Sequence, residues 1–165
     1  MNDIVSELVT DTRAWRGAEI AQTGWVTHVS ESEIRALYDM ADALPSDDSS
    51  WLDSGSGKIK SPVVNELLQT ASDELAVGKG FVLLRGFDAN DTERLRRVFW
   101  TIANGLGKPV MQNARGEVLS IIADRFAGAE RGVDTRGYES NDELRFHCDG
   151  GDCIGMSCIQ QAPEG

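Results

Sequence analysis

Ten residues near the end of the chain gather an imidazole, several carboxylates and a thiol: Glu143-Leu144-Arg145-Phe146-His147-Cys148-Asp149-Gly150-Gly151-Asp152. Leu144, Phe146 and Cys148 share one parity, and Arg145, His147 and Asp149 share the other. On a β-strand, side chains two apart lie on the same side at a spacing of about 6.5–7 Å. An imidazole and a carboxylate so placed can converge on one metal ion while the opposite parity packs inward. Such a pair supplies two of the three protein ligands of a non-haem Fe(II) site, so His147 and Asp149 are the candidate metal ligands. The third should be another histidine, and the chain's only other one is His28. Arg145, on the face of His147, is a candidate contact for an anionic substrate, with a surface salt bridge as its plainer role. Gly150 and Gly151 permit close backbone approach to a ligand.

Each of these residues also has a plain structural reading. An H-x-D tripeptide arises often by chance, and a solvent-facing His/Asp pair on a half-buried strand would look the same. His28, among apolar neighbours, reads more simply as a satisfied structural histidine. A complete cupin-like metal protein that recruits it is the least favoured arrangement. Cys148 faces away from His147, which argues against a nucleophile–base pair.

The elements that position these residues can be read in order. Residues 1–22 are mixed, with Trp15 and Ile20 expected to pack onto the body. Trp25 to Val29 reads as a strand. Ser30-Glu31-Ser32-Glu33 is a capping-box pattern ahead of Ile34, Leu37, Tyr38 and Ala41 at helical spacing, and that helix should end near Leu44-Pro45. Residues 46–60 form a polar loop that touches the body through Trp51 and Leu52. Ser61-Pro62 opens a second helix with Val63, Leu67, Leu68, Ala71 and Leu75 inward, and Gly78 is expected to end it in the left-handed conformation. Gly80 to Gly86 is a buried strand. Asn90 to Glu93 caps a third helix carrying Leu95, Val98, Phe99 and Ile102, which stops at Gly105-Leu106-Gly107. Strands are expected at 117–123, 143–149 and 153–160, with a polar loop over 124–140. Helices first and strands later indicate an α+β fold. Gly105-Leu106-Gly107 follows a helix rather than a strand, so a dinucleotide-binding reading fails on context.

Composition excludes several partners. A net charge of −11 over 165 residues opposes unassisted binding to nucleic acid or to an anionic membrane. No apolar run approaches a membrane span, and the N-terminus lacks a signal-peptide pattern. Cys148, Cys153 and Cys158 are five apart and match neither a zinc knuckle nor a CxxC pair. Reduced thiols in a cytoplasmic protein account for them.

With the motifs in order, the chain resembles the TauD/TfdA-type Fe(II)/2-oxoglutarate-dependent oxygenases from about Trp25 onward. Gly78 to Phe87 looks like that family's "G-x-G-F-x-x-L-R-G" strand. Leu106-Gly107-Lys108-Pro109 with Gln112, Asn113 and Gly116 is similar to its "L-G-x-P…Q-N…G" segment. Tyr138 to Asp152 is similar to "E-L-x-F-H-x-D-G", and Ile154 to Gly165 looks like the following strand and "A-x-x-G-G" turn. The resemblance implies the N-terminal portion of a double-stranded β-helix (jelly roll) with flanking helices, in a single domain over 1–165 that is incomplete at its C-terminus. It implies Fe(2+) held by His147 and Asp149, 2-oxoglutarate as cosubstrate, and hydroxylation of a small organic substrate by O2. Gln112 becomes a substrate-side candidate, because its segment lines the site in some relatives. The distal histidine and the cosubstrate-binding arginine are expected beyond Gly165, as is the small hydroxyl residue that follows the glycines of the "A-x-x-G-G" turn, which Gly165 enters. About three roll strands follow residue 116, too few for an eight-stranded roll. The expectation is therefore half an enzyme, inactive by itself, with a non-catalytic binding or interaction module as the alternative. Substrate identity and oligomeric state are not legible.

Overall fold

The computed structural model describes residues 8–21, 24–47, 50–52, 61–112, 116–124 and 146–161. The chain forms two compact units, Met1–Lys108 with Met156–Gly165, and Pro109–Gly155.

The first unit runs α1 (Gly17–Ile20), β1 (Val26–His28), α2 (Glu31–Asp42), α3 (Pro62–Ala76), β2 (Leu83–Arg85) and α4 (Thr92–Leu106). The two strands pair in parallel, with Val26 opposite Leu83, Thr27 opposite Leu84 and His28 opposite Arg85. Parallel neighbours require a long crossover, and here α2 and α3 provide it.

The helix starts follow from their caps. Ser30 accepts the Glu33 backbone N–H at 3.3 Å, and Glu33 returns a bond from the Ser30 N–H at 2.7 Å. This capping box satisfies two N–H groups that the first turn would otherwise leave without partners. Ser30→Ala is expected to destabilise the protein by about 1 kcal/mol, readable as a shift in urea midpoint without a change in slope. Pro62 occupies the first turn of α3, where its missing N–H costs nothing. Asp91 caps α4 by accepting the Arg94 N–H at 3.0 Å.

The core lies among these three helices. Leu37 and Ala41 of α2, Val64, Leu67 and Leu68 of α3, and Val98 and Ile102 of α4 are buried together, joined by Val29 just past β1. The inward face of α3 is led by Val64, whereas Val63 is exposed. One residue is about 100° around a helix, so with Val64 inward Val63 faces out. On α4 Phe99 is only half-buried, while Trp100 and Thr101 are buried. The helix therefore carries a second inward stripe, which meets Trp51.

Trp51, only 1% exposed, fastens the connection between α2 and α3. Its ring lies 5.8 Å from that of Trp100, and the Arg96 and Arg97 guanidinium carbons sit 4.9 and 5.5 Å from its centroid. Its indole N–H donates to Pro45 O at 2.9 Å. Arg97 donates to Ala41 O at 2.9 Å and Pro45 O at 3.1 Å, and also to Leu44 O. One guanidinium thus gathers a carbonyl of the last turn of α2 and two of the segment that leaves it. Trp100 Nε1 is buried with no hydrogen-bond partner among the described residues.

Two glycines explain the chain's path into and out of β2. Gly78 does not take the left-handed conformation; that role falls to Gly80, with φ of +82°. A side chain at 78 would instead sit 2.7–2.8 Å from the Glu74 backbone, so close approach is what requires glycine there. Gly86 has φ of +127°, and a Cβ there would lie 3.2 Å from Ile34 Cδ1 and Val29 O. Gly86→Ala is expected to cost on the order of 1–3 kcal/mol; an unchanged thermal midpoint would contradict this account of the turn.

In the second unit, the Gln112 N–H donates to Glu117 O at 2.7 Å, and Gly116 beside it has φ of +81°. The expected strands at 117–123 and 153–160, and residues 146–149 of the expected strand at 143–149, carry neither helix nor strand. Alternating polarity selects a face, but a strand exists only when a neighbour completes the ladder of backbone hydrogen bonds. No described residue supplies that ladder here, and Ile121, Ile122, Phe146 and Ile154 lie exposed. Most of the expected 124–140 loop lies outside the described residues. Among those described, no helix is long and apolar enough to cross a membrane.

Candidate functional site

The candidate site is local to the second unit, where Phe146-His147-Cys148-Asp149-Gly150-Gly151 presents its polar groups to solvent. His147 Nε2 and Asp149 Oδ1 approach to 3.5 Å, with about half of each side chain accessible. On a strand the i, i+2 spacing would set the two bases about 6.5–7 Å apart; this segment carries no strand, and the polar ends meet. Metal–nitrogen and metal–oxygen bonds of about 2.1 Å place neighbouring ligand atoms about 3.0–3.4 Å apart, for angles between the octahedral and tetrahedral values. The observed separation fits two adjacent corners of such a site with little adjustment. The donor chemistry fits as well, since one neutral imidazole and one carboxylate leave a divalent ion with residual positive charge for further anionic ligands.

The double glycine leaves room beside this pair. A Cβ on Gly150 would meet no atom, and one on Gly151 would make only ordinary contact with Cys153 O at 3.4 Å. Cys148 is exposed, as are Cys153 and Cys158, and all three are free thiols.

The other candidates stand differently. Gln112, in the same unit, donates its side-chain amide to Val110 O at 3.0 Å and its backbone N–H to Glu117 O. Arg145 and Asn113 lie outside the described residues. His28 ends β1 of the first unit and is exposed, so it is not the satisfied, inward-facing histidine that its apolar neighbours suggest. Among the described residues, no three His, Cys, Asp or Glu side chains are gathered as a metal-holding group. What the structure brings together is the His147–Asp149 pair.

The comparison that bears on this pair is with a curated protein. The chain is 24% identical over 168 residues to FR-33289 synthase from Streptomyces rubellomurinus (strain ATCC 31215). The likeness is to an enzyme. It covers 100% of this chain and 50% of that synthase, so the chain spans half the length of the curated relative it matches. No family model and no solved structure matches the chain.

Proposed function

We propose that this chain carries the proximal histidine and the carboxylate of an Fe(II)/2-oxoglutarate-dependent oxygenase of the TauD/TfdA type. The observation that carries the reading is the 3.5 Å approach of His147 Nε2 to Asp149 Oδ1, in a segment that opens onto a double glycine. The ordered motif resemblance from Trp25 onward and the likeness of the whole chain to half of a synthase support it. In this reading α2, α3 and α4 are helices that flank a jelly roll, and both units belong to one oxygenase domain. The reading also requires a distal histidine and cosubstrate anchors besides this pair.

His147 would bind the metal through Nε2 as a neutral imidazole, and Asp149 through its carboxylate. Iron with 2-oxoglutarate and O2, when bound, would supply the oxidising power to hydroxylate an unactivated C–H bond, with release of succinate and CO2. The chain's own residues then have three tasks. His147 and Asp149 fix the metal on one side, leaving its other positions to the remaining histidine, the cosubstrate and O2. The carboxylate partly neutralises the ion, so that an anionic cosubstrate is still attracted. Gly150 keeps the neighbouring space clear of side-chain atoms. Gln112 and Arg145 are substrate-side candidates in the same reading.

The direct test is turnover of 2-oxoglutarate to succinate in the presence of Fe(II) by an intact oxygenase that carries this chain. The reading requires that His147→Ala remove iron-dependent succinate formation, and succinate formed by that variant at the wild-type rate would overturn it. A protein that binds no metal and still engages a ligand would instead be the binding or interaction module.

A further inference from the structure

The described N-terminal segment, residues 8–21, lies on the first unit without entering its core. Residues 8–19 are exposed throughout and Ile20 is only half-buried. Its one helical piece, α1, is four residues long, too short to hold itself together. Thr12 and Trp15 tie it to the corner between α3 and β2. Thr12 Oγ1 donates to Val77 O at 3.0 Å and to Gly78 O at 3.3 Å. Trp15 Nε1 donates to Lys79 O at 2.8 Å, and its ring meets Phe81 edge-on at 5.3 Å. Phe81 in turn packs on Trp25 at 5.8 Å. The segment does not close tightly on the corner: a cleft of about 290 Å³ remains between them, lined by Thr12, Trp15, Ile20, Glu74 and Lys79.

We propose that residues 8–21 are a strap that detaches from this corner and docks again as a unit, while the α2–α4 core stays folded. Hydrogen bonds between exposed groups exchange almost evenly with water, whereas a released segment regains its backbone freedom. A segment without buried side chains, held at one corner, belongs to the low end of local stability. The buried cluster of Leu37, Val64 and Val98 belongs to the high end. Release uncovers the Val77 and Lys79 carbonyls and the Phe81 edge. It thereby opens the Trp25–Phe81 pair, which lies just ahead of both parallel strands.

Brief trypsin treatment of the native protein reads this opening, because Arg13 and Arg16 lie within the strap. The proposal expects early products that begin at Ala14 and Gly17 while the far-UV helical signal is unchanged. Thr12→Val removes a hydrogen-bonding hydroxyl at nearly constant size, and Trp15→Phe removes the indole N–H and trims the ring. Each should speed that cleavage about five-fold, the equivalent of about 1 kcal/mol, with the helical signal retained. Cleavage at Arg13 and Arg16 that proceeds only as fast as the helical signal is lost would overturn the strap. So would rates unchanged in both variants.

Discussion

Trp51→Ala lowers the stability of the helical unit by about 3–5 kcal/mol, the range for deleting a buried large aromatic side chain. The effect has two parts. The substitution leaves a cavity against Trp100, whose ring lies 5.8 Å away. It also removes the aromatic face under Arg96 and Arg97, so that Arg97 keeps its carbonyl acceptors but loses its packing. Trp51→Phe keeps the ring and loses the bond to Pro45 O, and should cost less than half as much. Urea unfolding followed by far-UV circular dichroism separates the two variants. Equal midpoints for Trp51→Ala and wild type would show that the connection between α2 and α3 is not held at this point.

His147→Ala weakens divalent-metal binding by on the order of 100-fold or more. Losing an outer-shell partner already costs about 10–100-fold, and a ligand contributes more than its support does. Asp149→Ala should act similarly and also remove the carboxylate's charge. His28→Ala should leave affinity unchanged, because the proposed site rests on the His147–Asp149 pair. Cobalt(II) titration of the four proteins in parallel checks this ordering. Equal affinities in wild type and His147→Ala would remove His147 from the site.

The helices were legible because their signals are local. A capping box at Ser30, a proline at 62 and an aspartate at 91 each announce a start within three or four residues. The inward faces were legible only to within one residue, as Val63 and Val64 show, because a small rotation at the helix start moves the whole stripe. Trp100 was missed because its partner, Trp51, lies in a different segment of the chain. The same distinction governs the strands. β1 and β2 were readable as short apolar runs, yet polarity alternation at 117–123 and 153–160 could name a face and no partner. Gly78 was readable as the left-handed stop of α3, but the backbone takes that conformation two residues later, at Gly80. The His147–Asp149 pair was readable because its members are two residues apart. A third ligand is set by long-range folding, and no local spacing could name it.

The central claim is that His147 and Asp149 hold iron, and X-ray absorption on the iron-loaded 165-residue chain tests it most directly. With two histidines in the whole chain, any imidazole scattering around the metal has only two sources within it. The account predicts an imidazole signal in wild type and in His28→Ala, and its loss in His147→Ala. An imidazole signal that survives His147→Ala, or its absence from iron-loaded wild type, would contradict the account.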